Sequence, residues 1–306
     1  MLNEPPIDLK QLKYFTHVAE MGSFTKAAHF LNIAQPILSR QIRRLEVDLH
    51  QNLLIRNGRG VTLTDAGKVL LEHSRGILHQ VERAYEEVTQ GQLSGRVTIG
   101  LPPTMAKLLS VPLTRAFRQQ LPHANLIIME GLTAVIEEGL LTGRLDMGLL
   151  HNPAFSPDLE ISLLAKDNLC LIARADDVAL QGKQSFELKD IASLPLILPS
   201  HPNTYRMLVE IEMAKIGCKP NTILEMNSVG TILDLVCEGM GYAILSQKTL
   251  ALVADPTTLV AYPITSPQLV NKLFMATSNK RIMTQTQKTM YAIIETLCVT
   301  PPETVL

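Results

Sequence analysis

The stretch Ser23-Phe24-Thr25-Lys26-Ala27-Ala28-His29-Phe30-Leu31-Asn32-Ile33-Ala34-Gln35-Pro36-Ile37-Leu38-Ser39-Arg40-Gln41-Ile42-Arg43-Arg44-Leu45-Glu46 decides the fold of the N-terminal part. Ser23 is placed to cap a short helix carrying Ala27, Ala28 and Leu31, because its hydroxyl can accept from an N–H that the first turn leaves open. Asn32-Ile33-Ala34 makes the turn. A further helix begins at Gln35-Pro36, where the missing proline N–H costs nothing. Leu38, Ile42, Leu45 and Leu49 then fall on one face, while Arg40, Arg43 and Arg44 gather on another. Two helices joined by a tight turn, the second apolar behind and basic in front, predict a helix-turn-helix.

On the N-terminal side, Asp8 is a suitable cap for a helix that holds Leu12, Phe15, Val18 and Ala19 and stops at Met21-Gly22. On the C-terminal side, Leu53-Leu54-Ile55-Arg56 and Val61-Thr62-Leu63 are β-prone runs around an Asn57-Gly58 turn, with Arg56 and Arg59 beside it. That pattern predicts a hairpin wing able to reach phosphates or the minor groove. Thr64-Asp65 then caps a long helix to about Gln90. Leu70, Ile77 and Ala84 recur every seven residues, as do Ser74, Val81 and Val88, which suits either a two-stranded pairing seam or packing on the helix's own domain. Gly91 and Gly95 mark a hinge. From Asp8 to Leu63 there are eight Lys and Arg against four Asp and Glu, on a chain whose overall charge is −1. A basic end on a near-neutral protein suits phosphate binding.

Beyond the hinge the rhythm changes. Strand-like runs at about 96–101, 125–130, 145–150, 169–174, 194–198, 222–226, 241–245 and 272–276 alternate with helical patterns at 105–120, 134–142, 204–216 and 229–238. This predicts an open α/β arrangement with parallel strands, long enough for two lobes and a cleft. Ligands in such folds lie beyond the carboxyl ends of strands, where helix N-termini expose N–H groups. The junctions of that kind are Pro102-Pro103-Thr104, Gly131-Leu132-Thr133, the loop from Pro199 through His201 and Asn203 to Thr204, and Asn227-Ser228-Val229. Their hydroxyl and amide side chains suit either ligand contacts or simple helix caps.

The chain has 306 residues, 46% hydrophobic and 19% charged, which fits about two globular domains. The opening Met1-Leu2-Asn3-Glu4-Pro5-Pro6 has neither a basic stretch nor an apolar core, so a cytoplasmic location is expected, with no membrane partner. Cys170, Cys218, Cys237 and Cys298 are widely spaced and read as reduced thiols, with no metal site and no cofactor expected. No phosphate loop, dinucleotide fingerprint, nucleophile elbow or zinc-protease motif occurs, which argues against an enzyme. A binding protein for solute uptake would share the C-terminal fold, but the basic N-terminal helices oppose it.

The ordered array from Ser23-Phe24-Thr25-Lys26-Ala27-Ala28 through Ala34-Gln35-Pro36, Leu38-Ser39-Arg40-Gln41-Ile42 and Leu45-Glu46 resembles the signature of LysR-type transcriptional regulators. Leu53-Leu54-Ile55-Arg56, Arg59-Gly60-Val61 and Leu63-Thr64-Asp65-Ala66-Gly67 continue it, and Gly143-Arg144-Leu145-Asp146 and Val236-Cys237-Glu238-Gly239-Met240-Gly241 extend it more loosely. The run from Ile33 to Lys68 is similar to the nitrogen-assimilation-control branch. Departures are His50 in place of the usual Gly, Leu54 where Phe is frequent, and Ser246 in place of Pro.

The resemblance implies a multidomain α and α/β protein: a winged helix-turn-helix at 1–64, a linker and dimerisation helix at 65–90, and a two-lobed effector-binding domain at 91–306. That domain has the architecture of periplasmic binding proteins, with one lobe at 96–167 and 269–306 and the other at 168–268. It places the third helix in the major groove, with Gln35, Pro36, Ser39, Arg40 and Arg43 facing DNA, Ser23 and Thr25 nearby, and Arg56 and Arg59 on the wing. Arg suits guanine O6 and N7, Gln suits adenine N6 and N7, and hydroxyls suit phosphate. Effector contacts would come from Pro103, Thr104, Leu132, Thr133, His201, Asn203, Ser228 and Val229, and small carboxylates are the implied effectors. The implied partners are double-stranded DNA, the effector, further copies of the chain as a dimer and then a tetramer, and RNA polymerase. The resemblance allows an activator, a repressor or both, because the family contains both, and activation is the favoured mode of control.

Overall fold

Asp8 begins α1 (Leu9–Met21) through a capping box with Gln11, and Gly22 ends it in the left-handed conformation, φ 59°, that glycine adopts without strain. Ser23 caps α2 (Phe24–Phe30), and α3 (Gln35–Asp48) starts after Ala34 with proline in its first turn. Strands β1 (Leu54–Asn57) and β2 (Gly60–Leu63) pair antiparallel as the wing, and the Val61 N–H donates to the Gly22 carbonyl. The long helix α4 (Asp65–Gln90) follows, with the Thr64 hydroxyl accepting from the Gly67 N–H. A Cβ at Gly67 would sit 2.1 Å from the Leu53 carbonyl oxygen, so glycine lets this helix approach the wing. Phe15, Leu45, Leu53 and Leu71 form the core beneath it, while Val18, Ala27, Leu38 and Ile42 form the core of the three helices.

The structure, a computed structural model, describes residues 7–57, 60–90 and 93–299. Two compact units divide the chain: Met1–Gly91 with Leu141–Leu145, and Gln92–Leu140 with Asp146–Leu306.

The second unit runs β3 (Ser94–Leu101), α5 (Pro103–Gln120), β4 (His123–Glu130), α6 (Thr133–Thr142), β5 (Met147–His151) and β6 (Leu159–Arg174). It continues with α7 (Leu188–Ile191), β7 (Leu196–Leu198), α8 (Thr204–Lys215), β8 (Thr222–Glu225), α9 (Val229–Cys237), β9 (Ala243–Ser246), β10 (Leu259–Pro263), β11 (Val270–Ser278) and α10 (Gln285–Val299). Seven strands form one sheet in the order β10-β6-β11-β5-β3-β4, with β9 also on β6, and β7 and β8 form a separate parallel pair.

The sheet corrects the expectation of parallel strands. Only β3 lies parallel to its neighbours β4 and β5, whereas β5, β6, β9 and β10 are joined through antiparallel ladders. The cause is β6, sixteen residues long, which pairs with β11 along residues 159–168 and with β9 and β10 along 169–174. Its first half alternates between exposed and half-buried positions, so only its continuously buried end reads as a strand in sequence. β10 and α10 were also not anticipated, although Met290, Ile293 and Ile294 of α10 have helical spacing and are buried.

Two cores result. One holds Val97, Ile99, Leu113, Phe117, Met147, Met275 and Ile294, and the other holds Leu171, Leu196, Tyr205, Val209, Ile232 and Ile244. Asp146 fastens the first: its carboxylate accepts from the Thr98 N–H at 2.7 Å and from the Gln287 amide at 2.8 Å, so it is structural.

Candidate nucleic-acid interface and effector cleft

Burial sorts α3 into two faces. Leu38, Ile42 and Leu45 are completely buried, and Gln35, Pro36, Arg40 and Arg43 are exposed, with Ser39 half-buried between them. No side chain caps this helix, because Ala34 stands at its start. Pro36 has no N–H and the Ile37 N–H donates to the Ala34 carbonyl at 3.0 Å, so the Gln35 N–H is the group of the first turn left open to an anion, with the positive end of the helix dipole behind it. The Glu46 carboxylate turns inward and accepts from the Leu53 and Leu54 N–H groups at 2.9 and 3.2 Å, joining the end of α3 to the wing.

Arg56 leaves β1 toward this helix. Its guanidinium lies 4.2 Å from the centre of the Phe24 ring and donates to the Ser39 hydroxyl at 3.1 Å. Thr25 is exposed on α2, whereas the Ser23 hydroxyl caps that helix by accepting from the Lys26 N–H. Arg59 lies outside the described residues. Sequence reasoning missed Phe24 and Glu46 as positioning groups; an aromatic and an acid beside a basic face were the available signals.

The heptad stripe of α4 divides along its length into a packed and an exposed part. Leu71 and Ser74 are buried, and Leu70 packs beside Phe15 and Leu53 within the N-terminal unit. Beyond them Ile77, Val81 and Val88 are exposed, the last at 87%, along one face of the helix.

In the second unit, Asn203 caps α8, its side chain accepting from the Tyr205 N–H at 2.9 Å, and Ser228 caps α9, accepting from the Thr231 N–H at 3.3 Å. Val229 is buried behind Ser228. His201 is exposed and 3.1 Å from the Glu210 carboxylate. The Thr133 hydroxyl lies at hydrogen-bond distance from the backbone of His151, and Leu132 is half-buried beside it. α5 starts at Pro103 with no side-chain cap, and Thr104 is buried in its first turn.

His151 was missed because a histidine ending an apolar strand carries no local signal. The Asn152 amide donates to Asn271 Oδ1 at 3.0 Å, and the Asn271 amide donates to His151 Nδ1 at 3.0 Å. That order leaves the proton on Nε2, which faces the Tyr205 hydroxyl at 3.5 Å. Burial lowers the pKa of His151 to about 4, against the smaller raising effect of Asn271, and burial pushes that of Tyr205 up. Tyr205 belongs to one core and β5 to the other, so this chain of polar groups bridges the two.

Burial raises the thiol of Cys170 and pushes that of Cys298 up to about 11, which makes them poor nucleophiles. Among the described residues no helix is long and apolar enough to cross a membrane.

A helix-turn-helix with an open basic face, a hairpin wing and an α/β unit with paired cores defines a DNA-binding regulator with a ligand-binding domain. Residues 9–68 match the bacterial regulatory helix-turn-helix protein, lysR family, and residues 90–298 match the LysR substrate binding domain. The chain belongs to the LysR family and is a transcriptional regulator, not an enzyme. It is 37% identical over 245 residues to the nitrogen assimilation regulatory protein nac of Escherichia coli, covering 79% of each chain. A full-length OxyR variant from Pseudomonas aeruginosa has a similar structure, with TM-score 0.74, 22% identity and 98% of each chain covered. Full-length CbnR complexed with its target DNA gives TM-score 0.70 at 24% identity, covering 95% of this chain and 99% of that one. These two likenesses speak to the fold.

Proposed function

We propose that this regulator, of the nac-like branch, reads double-stranded DNA with Gln35, Pro36, Ser39, Arg40 and Arg43 in the major groove, aided by Thr25 and by Arg56 and Arg59 of the wing. The observation that carries this reading is α3 itself, exposed and basic on one face and without a side-chain cap at its start. Domain boundaries at residues 64, 90 and 306 follow, with lobes at 96–167 plus 269–306 and at 168–268.

One winged module has a small footprint, so two half-sites read by a dimer supply the specificity. The exposed Ile77, Val81 and Val88 face is the pairing seam of that dimer, which assembles further to a tetramer. A small carboxylate binds in the cleft beyond the strand ends, at Pro103, Thr104, Leu132 and Thr133. Asn203 and Ser228 act first as helix caps there, with His201 and Val229 on the same rim. Effector binding shifts the assembled states only through differential affinity for them. Activation through RNA polymerase in the cytoplasm completes the proposal.

Binding to the DNA upstream of its own gene, titrated across a salt series, tests the reading. Wild type is expected to bind with a steep negative salt slope, about 0.9 for each phosphate neutralised. Equal binding of every duplex tried would overturn sequence-specific recognition. A carboxylate library that leaves both the melting temperature and DNA binding unchanged would overturn the effector assignment.

A further inference from the structure

We propose that Arg56 is a positioning residue for DNA recognition: stacked on Phe24, it fixes Ser39 as a hydrogen-bond donor to DNA instead of contacting a phosphate independently. The inference rests on α3 being the reading helix. Three observations meet at one place. The guanidinium of Arg56 lies over the Phe24 ring at 4.2 Å, its terminal nitrogen donates to Ser39 Oγ at 3.1 Å, and Phe24 is itself buried in the helix-turn-helix core. Glu46, anchored on the N–H groups of Leu53 and Leu54, holds the start of the wing in register with α3, so this geometry is built on fixed elements.

The chemistry follows from the inventory of a hydroxyl, which has one proton and two acceptor lone pairs. A cationic N–H directed at one lone pair polarises the O–H bond, making the proton a better donor. The same positive charge repels approaching N–H groups, so adenine N6 and cytosine N4 are disfavoured. Among the described residues no hydrogen bond is found that takes the Ser39 proton. Ser39 therefore presents a donor on the open face of α3, suited to guanine O6 or N7, thymine O4 or a phosphate oxygen. Lysine cannot replace Arg56, because it lacks the planar fork that stacks on an aromatic ring while donating sideways.

The test uses the full-length protein and a duplex that wild type selects from a randomised pool. Affinity is measured across a salt series for wild type, Ser39→Ala, Arg56→Ala, Arg56→Lys and the Ser39→Ala/Arg56→Ala double variant, with melting curves as the check on folding. Each single variant, Arg56→Lys included, is expected to lose about tenfold in affinity. The double variant is expected to lose little more than the worse single one, and the salt slope of Arg56→Lys stays that of wild type. Repeating the selection with Arg56→Lys and Ser39→Ala separates the two acceptors. Relaxation at the same base position in both marks a base edge, and an unchanged site marks a phosphate oxygen.

Additive losses, with Arg56→Lys behaving as wild type and Arg56→Ala lowering the salt slope by about 0.9, would make Arg56 a direct phosphate contact and overturn the inference. Failure of wild type to select any duplex would overturn the DNA-reading assignment beneath it as well.

Discussion

The proposed reading helix α3 and two helices of the effector unit, α8 and α9, start in opposite ways, while α5 is uncapped like α3. α3 begins on Ala34, whose side chain accepts nothing, and its first turn is exposed. α8 and α9 begin on Asn203 and Ser228, which accept from N–H groups of their own first turns. In α8 and α9 a side chain satisfies a first-turn N–H, whereas in α3 the Ile37 N–H turns back to the Ala34 carbonyl, Pro36 has no N–H, and the Gln35 N–H is left to water or a ligand. The difference teaches that polar residues at helix starts are not interchangeable indicators of binding: Asn203 and Ser228, which look most like ligand contacts in the effector unit, already serve the fold, and the proposed reading helix has no side-chain cap.

The largest effect that would sharpen this contrast concerns assembly. The double variant Ile77→Asp/Val81→Asp places charges on the exposed seam of α4, and sedimentation is expected to show monomers with DNA affinity reduced at least about a hundredfold. An intact dimer would move the pairing surface elsewhere.

Acid should separate the two units next. His151 is neutral in the folded protein, with its pKa lowered from 6.5 to about 4 by burial. The unfolded chain takes up this proton as the pH drops below 6.5 and the folded chain does not. Stability from this site is therefore full above pH 6.5 and falls toward pH 4, by about 1.4 kcal/mol for each pH unit. Denaturant melts of wild type against His151→Gln should show that slope in wild type and a flatter one in the variant.

The caps provide a smaller and more direct comparison. Ala34→Asp should stabilise α3 by about 1 kcal/mol and weaken DNA binding about tenfold, since the new carboxylate caps the first turn at the positive end of the helix and repels phosphate. Asn203→Ala should cost about 1 kcal/mol in the effector unit and leave DNA binding unchanged. Opposite signs for the two substitutions are the signature of the contrast, and equal signs would break it. The smallest effect is at His50, held at φ 51° in the left-handed region that glycine adopts without strain. His50→Gly should raise stability by about 0.5–1 kcal/mol in a thermal melt.

Much of the N-terminal unit was legible because its determinants are local. Asp8, Gly22, Ser23 and Pro36 punctuate helices within a few residues of themselves, and Leu38, Ile42 and Leu45 declare a buried face by spacing alone. The effector unit depends on partners far apart in the chain. Asp146 is fixed by Thr98 and Gln287, and His151 by Asn271 and Tyr205, separations that no periodicity encodes. The first half of β6 was hidden for the same reason: its pairing with β11 lies about a hundred residues away in sequence. Thr104, Thr133, Asn203 and Ser228 were rightly placed at helix starts, but the roles of the last two as caps became visible only with their hydrogen bonds.

The central claim, that α3 reads base edges in the major groove, is tested most directly by methylation interference. Guanines of a selected duplex are methylated at N7, and the bound and free fractions are compared for wild type and Arg40→Ala. The account expects two clusters of interfering guanines, separated by whole helical turns, with at least one guanine in each losing its effect in Arg40→Ala. Binding that ignores N7 methylation throughout, or identical interference patterns for the two proteins, would contradict it.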